Sequence, residues 1–373
     1  MGRRSLTKRT SILASGTILV AMLALTACSA GDTDEPQEAA QNQLSVVDAL
    51  GRTVEFDGLP QRIVVAGKSS LTIVETLFLF PEAADRVIGL VAGRQNPGDF
   101  LQFVDPAFEQ KAVLEVEAGP EQIAPLKPDV VFLRSFMAES LGTSLEQIDI
   151  PVVYVDLETP EQYFRDLTTL GAVFGNEARA AEIRSFYQSR LQRLEAALQG
   201  LDEGEKPRVL VLQYSEQGGE VAFNVPSASW LQTVEAELAG GVPVWVEAAQ
   251  GGGWTIVNLE QIAAWDPEAI FLISYNTDPS QVVQRLQSDA RWGALEAVQG
   301  GRLYAFAGDI YSWDQPDPRW ILGVTWMASR LHPQRLDDLD LMDEVDRFFG
   351  QMYGMEQEAI DGQILPALQG DVR

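Results

Sequence analysis

The sequence predicts an α/β protein built as two similar lobes joined by one long helix. Three observations predict it: short apolar runs alternating with helical periods over residues 62–306, a thirteen-residue pattern that occurs twice, and one apolar stripe along a helix over residues 176–198.

The apolar runs come first. Arg62-Ile-Val-Val-Ala66 reads as a buried strand and is followed by a helical stretch over 70–80. Runs over 85–90, 128–133 and 150–155 repeat that style, as do 208–212, 269–273 and 302–306 in the second half. Continuous apolar strands separated by helices favour parallel sheets covered on both faces. Between the two groups, residues 160–173 read as helical. A longer helix over 176–198 opens at Asn176, a good N-cap. Its Ile183, Tyr187, Leu191, Leu194 and Leu198 recur at intervals of three and four, which gives a single stripe. Gly200, Gly204 and Pro207 end it. Such a helix is a stiff spacer between lobes, or else a helix packed inside one larger domain.

The repeated pattern is the most informative feature. Glu121-Gln-Ile-Ala-Pro-Leu-Lys-Pro-Asp-Val-Val-Phe-Leu133 is matched by Glu260-Gln-Ile-Ala-Ala-Trp-Asp-Pro-Glu-Ala-Ile-Phe-Leu272 with the same internal spacing. Each copy reads as a short helix stopped by proline, a turn and a core strand. Helix, Pro-acid and strand make a common α/β connection, which accounts for the proline and the strand. It accounts less well for a glutamate opening both helices at the same offset.

The N-terminus sets the compartment. Arg3, Arg4, Lys8 and Arg9 precede an apolar run over 12–25 that ends in Leu25-Thr26-Ala27-Cys28. A basic start, a short apolar core and small residues before a cut site read as a secretory signal peptide. The run falls short of the roughly 20 apolar residues of a membrane span. Cys28 is the only cysteine, and Leu-Thr-Ala-Cys resembles the bacterial lipobox, in which that cysteine is acylated and anchors the chain to a membrane. Residues 29–43, rich in Ala, Gln, Asp and Glu, read as a flexible tether. Cleavage before Cys28 reduces 27 basic side chains to 23 against 54 acidic ones, a balance of −31. That field repels nucleic acid and anionic lipid.

Together with the repeat, the segments Asp48-Ala-Leu-Gly-Arg-Thr-Val54, Arg62-Ile-Val-Val65, Leu126-Lys-Pro-Asp129, Ala239-Gly-Gly241, Ser288-Asp-Ala-Arg-Trp292, Ala297-Val-Gln-Gly-Gly-Arg-Leu-Tyr304 and Trp313-Asp-Gln-Pro-Asp-Pro-Arg-Trp320 carry a resemblance. In order and spacing the chain resembles the substrate-binding lipoproteins of ATP-driven (ABC) importers for iron–siderophore chelates, haem and cobalamin, over residues 46–333. The resemblance implies a class III periplasmic-binding arrangement: two Rossmann-like lobes with parallel sheets, one long linking α-helix and a ligand in the cleft between the lobes. It implies the divisions 1–27 (signal peptide), 28–43 (acidic tether), 44–158 (N-terminal lobe), 159–204 (linking helical region) and 205–373 (C-terminal lobe). It also implies that Glu121 and Glu260 are exposed, one on each lobe, and dock onto the two subunits of a permease dimer.

Ligands of open α/β sheets gather beyond the carboxyl ends of the strands. That rule selects Lys68, Ser69 and Ser70 after the first strand, Arg94 after the second and Arg134 after the third. From the second lobe it selects Tyr214, Trp254, Tyr275, Tyr311 and Trp313. Guanidinium forks and aromatic faces suit a bulky organic ligand bearing acidic oxygens. Lys68 and Arg94 also fit as solvated surface charges, and Trp254 as a core cap. The only histidine, His332, ends a helix, so no His/Cys cluster is available for a bare transition metal and no nucleophile–histidine pair is formed. Neither a cofactor nor catalysis is expected. A metal chelate is the leading ligand. An oxyanion of the molybdate type and an exported hydrolase using paired carboxylates are the alternatives.

Overall fold

The computed structural model describes residues 43–92 and 98–372. A ribbon of two antiparallel strands, β1 (Leu44–Val47) and β2 (Thr53–Phe56), opens it. The first lobe is then built on β3 (Ile63–Val65), β4 (Val87–Val91), β5 (Ala112–Leu114), β6 (Val130–Arg134) and β7 (Val152–Val155). Helix α1 (Ser70–Leu77) follows β3, and the short α2 (Pro120–Ile123) precedes β6. The five strands form one parallel sheet in the order β5-β4-β3-β6-β7. The chain winds outward from β3 to β5 and returns on the other side at β6. That reversal opens a crevice at the carboxyl ends of β3 and β6. β3, β6 and β7 are buried along their whole length, which is why they are continuously apolar up to Arg134.

Two helices lead to the second lobe, α3 (Pro160–Phe174) and α4 (Glu177–Leu198). Thr159 caps α3 by accepting from the Gln162 N–H, and Asn176 caps α4 by accepting from the Arg179 N–H. Between the caps, Gly175 takes the left-handed conformation (φ 64) that ends α3. With 22 residues, α4 is about 33 Å long. It lies against both lobes: Arg179 Nε donates to the Leu79 carbonyl at 2.9 Å, and Tyr187 Oη donates to the Pro318 carbonyl at 2.5 Å.

The second lobe contains β8 (Arg208–Gln217), β9 (Glu220–Val225), α5 (Leu231–Leu238), β10 (Val242–Pro243), β11 (Thr255–Val257), α6 (Leu259–Trp265), β12 (Ala269–Ile273), α7 (Pro279–Ser288), β13 (Leu303–Ala305), α8 (Trp320–Leu331) and α9 (Leu341–Met352). Its sheet runs β11-β9-β8-β12-β13, with β10 paired to β8. Here the all-parallel expectation holds only in part, because β9 runs antiparallel to both of its neighbours, β8 and β11. Gly218 and Gly219 (φ 62 and 86) make a two-residue turn with both central residues left-handed, and this folds β9 directly back on β8.

The repeated sequence is folded the same way twice. Lys127 and Asp266, six residues after Glu121 and Glu260, both adopt the left-handed conformation (φ 50 and 49). Asp129 Oδ2 accepts from the Arg62 N–H at the edge of β3, as Glu268 Oε2 accepts from the Arg208 N–H at the start of β8, 2.9 and 2.8 Å. Arg62 Nε reaches the Lys127 carbonyl and Arg208 Nε the Asp266 carbonyl, at 3.0 and 2.8 Å. Acid and arginine therefore make one clasp that fixes each central strand to the turn before its neighbour. Among the described residues no helix is long and apolar enough to cross a membrane.

Candidate functional site

The crevice at the ends of β3 and β6 is occupied by Arg134. Its side chain is only 7% exposed. Nη1 donates to Thr72 Oγ1 on α1 at 2.9 Å, and Nη2 donates to Glu158 Oε2 at 2.7 Å. Nε is buried without an acceptor. The other oxygen of Glu158 accepts from the backbone N–H of Leu231 at 3.2 Å. Leu231 is the first residue of α5 in the second lobe, and its N-cap residue, Trp230, offers no side-chain acceptor. Glu158 thus caps a helix of the opposite lobe, where the exposed N–H groups and the helix dipole favour negative charge. The loop that carries it is fixed: Asp166 Oδ2 accepts from the N–H groups of Asp156 and Leu157 at 2.7 and 2.9 Å, and Leu157 is held left-handed at φ 57. A leucine there costs about 1–2 kcal/mol, offset by its complete burial.

Across the seam, the Trp230 and Trp254 rings meet edge to face, 5.4 Å between centroids. Gln232, in the first turn of α5, donates to Asp314 Oδ2 at 3.1 Å, and Tyr275 Oη donates to the same oxygen at 2.5 Å. One turn along the helix, Glu235 is fully buried and neither carboxyl oxygen has a partner. Burial pushes that carboxyl far up, and repulsion from Asp314, Asp317 and Glu158 pushes it further. Asp314 is raised by burial too, against the opposing donation of Ser312, Tyr275 and Gln232. A buried acid sheds its charge when it lacks a counter-ion. The ion pair at the seam is Arg134 with Glu158.

Beneath the seam a second buried cluster joins the lobes. Arg319 has no solvent exposure. Its Nη1 donates to Glu75 Oε2 of α1 at 3.2 Å, its Nε lies 2.9 Å from Asp309 Oδ1, and Asp317 stands 3.8 Å away. The guanidinium is also covered by the rings of Phe100 and Tyr311, at 4.4 and 5.0 Å. Burial pushes Glu75 up to about 7 and Asp317 up to about 8, although Arg319 pulls both down.

Of the residues selected from sequence, Arg134, Trp254 and Tyr275 come together around the seam. Lys68 and Ser69 are exposed beyond β3, Ser69 in the left-handed conformation (φ 56), and Ser70 starts α1 buried. Tyr214 is engaged within its own lobe, where its ring meets Phe223 and Arg285 and its hydroxyl donates to Glu216. Tyr311 and Trp313 are enclosed. Trp313 Nε1 donates to Asp309 Oδ2 at 2.8 Å, so both belong with the Arg319 cluster. Arg94 and Cys28 lie outside the described residues. Glu121 and Glu260 are both exposed, each in the first turn of its helix, α2 and α6. His332 packs against the Gly240 carbonyl, and burial lowers its pKa. Among the described residues no group of three or more His, Cys, Asp or Glu side chains is arranged to hold a metal ion.

Sequence reasoning passed over Thr72, Glu158, Trp230 and Gln232. Glu158 was within reach of the rule that selected Arg134, since it lies three residues beyond β7. Phe136, two residues after Arg134 and 59% exposed, was equally available.

With this geometry in hand, the model of the periplasmic binding protein family matches residues 107–309, more than half of the chain. The chain belongs to the periplasmic binding protein family. It is 23% identical over 332 residues to the molybdate-binding protein MolA of Haemophilus influenzae, covering 83% of this chain and 90% of that protein. Among solved structures, it is similar to an ABC transporter solute binding protein from Sulfurospirillum deleyianum, with a TM-score of 0.69, 23% identity, and 86% of this chain and 98% of the other covered. It is also similar to the TroA-like periplasmic binding protein FepB from Veillonella parvula, with a TM-score of 0.68, 19% identity, and 83% and 95% covered. These likenesses fix the two-lobed fold.

Proposed function

We propose that the protein is the exported, lipid-anchored solute-binding component of an ABC importer. It holds a metal chelate between its lobes and delivers it to a permease dimer, without catalysis. The observation that carries this reading is a buried guanidinium, Arg134, bridged through Glu158 to the start of α5 on the facing lobe, where Trp230 meets Trp254 edge to face. A planar donor fork suits acidic oxygens, and the rings supply apolar area at low entropic cost. An iron–siderophore complex leads, with haem and corrinoids next. Cys28 is the proposed lipid attachment point, and the exposed Glu121 and Glu260 are the proposed permease contacts. A molybdate-type oxyanion is the second reading. It is favoured by the convergence of Arg134 Nη2 and the Leu231 N–H on one carboxylate, and by the likeness to a molybdate-binding protein.

Titrating the mature protein with a ferric siderophore, haem, cobalamin and molybdate while following tryptophan fluorescence tests both readings. Quenching by a chelate, diminished in Trp254→Ala, is the expected result. A response to molybdate alone reverses the ranking. Silence with all four refutes solute capture at this seam.

A further inference from the structure

We propose that Glu158 is a built-in competitor for the anionic group of the ligand: it fills the seat between Arg134 and Leu231, latches the unliganded lobes together, and gives way when ligand enters. This rests on the reading that ligand is held between the lobes. The latch is explicit in the contacts, because one carboxylate takes a charge-assisted hydrogen bond from its own lobe at 2.7 Å and a backbone hydrogen bond from the other at 3.2 Å.

Three features make it a displaceable latch. First, solvent reaches the acid more than the guanidinium: Glu158 is 21% exposed at its side chain and Arg134 only 7%. An incoming anion can take over the guanidinium while Glu158 rotates into water. Second, the seat is under-filled, because Arg134 Nε is buried without an acceptor while Glu158 engages Nη2. A ligand with several acidic oxygens can satisfy donors that the tethered carboxylate leaves unpaired. Third, Asp166 pins the backbone on the N-terminal side of Glu158, so the competitor is held at high effective concentration and only its side chain moves. The consequence is selectivity: a small oxyanion that offers no more than a carboxylate competes poorly, whereas a polydentate chelate competes well.

The experiment uses Glu158→Ala, with the isosteric Glu158→Gln as the variant that keeps the side-chain volume. Two quantities are read on the full mature chain: amide hydrogen exchange at Leu231 without ligand, and the affinity for molybdate by calorimetry. Exchange at Leu231 is expected to accelerate at least roughly tenfold in Glu158→Ala, and molybdate is expected to bind roughly tenfold tighter to both variants than to wild type. Unchanged exchange at Leu231 in Glu158→Ala overturns the latch, whatever the ligands do. Faster exchange with molybdate binding unchanged, weakened or absent in both variants overturns the competition. In that case quenching of the wild type by a chelate shows that solute capture itself stands.

Discussion

Removing the charge of Glu75 is expected to flatten the dependence of stability on pH. Three carboxyls, Glu75, Asp309 and Asp317, surround the single guanidinium of Arg319 with no access to water. Burial is the dominant influence on Glu75 and Asp317, raising them from 4.5 and 3.8 to about 7 and about 8. The unfolded chain releases these protons near the lower values and the folded chain keeps them until the higher ones. Stability is therefore fully present below about pH 4, falls as pH rises through this window, and levels off above pH 8. Each group contributes about 1.4 kcal/mol per pH unit within its window, so Glu75 alone accounts for about 3 kcal/mol. Thermal melts of the wild type and Glu75→Gln between pH 5 and pH 8.5 read this directly. The variant should match the wild type at pH 5, where Glu75 is protonated. At pH 8 it should be more stable by about 2–3 kcal/mol, a few degrees in Tm. If Glu75→Gln is instead markedly less stable than wild type at pH 8, the pairing with Arg319 outweighs the burial penalty, the Glu75 pKa is not raised by folding, and the reasoning fails.

Two further outcomes are expected. Charge reversal at both Glu121 and Glu260 should abolish uptake in cells while leaving ligand affinity of the purified protein within about twofold, because neither takes a hydrogen bond or ion pair among the described residues; a collapse in affinity would place them in the ligand site. Asn176→Ala should cost about 1–2 kcal/mol in chemical denaturation, because it removes both the cap on α4 and the 2.7 Å hydrogen bond to Glu82 that ties this helix to the first lobe.

The legible part of the molecule was the part set by local rules. The strands at 63–65, 130–134, 152–155 and 269–273 were visible because full burial makes a parallel strand continuously apolar. The helix over 177–198 was visible from its cap and from Ile183, Tyr187 and Leu194, all buried. The apolar run of β8 ends at Leu212 while the strand continues to Gln217, so the Gly218-Gly219 turn stands apart from the pattern that marks the strand. The seam was illegible for a different reason. Glu158 meets Leu231 across 73 positions of sequence and Glu75 meets Arg319 across 244, and no periodicity encodes such partners. Tyr311 and Trp313 had the right position after a strand and the wrong environment. The chain's end returns to cover their loop, with the Gln369 N–H donating to the Gly308 carbonyl at 2.9 Å, and a cover of that kind leaves no trace near residue 311.

The two copies of the repeat also separate what the fold requires from what it does not. Asp129 and Glu268, and Arg62 and Arg208, each have a structural task, since together they clasp a central strand in each lobe. Lys127 and Asp266 share a left-handed backbone for the same reason. Glu121 and Glu260 share the offset but have no such task. Glu121 has no partner among the described residues, and Arg291, which feels the charge of Glu260, is already paired with Asp289. An exposed carboxylate at a helix start contributes a few tenths of a kcal/mol through the dipole, too little to account for its presence twice in register. A single exposed ion pair is worth about 0–1 kcal/mol, so two matched ones orient a partner without holding it. Contacts of that strength fit the proposed docking of Glu121 and Glu260 to a permease dimer, a partner that must release its carrier after delivery.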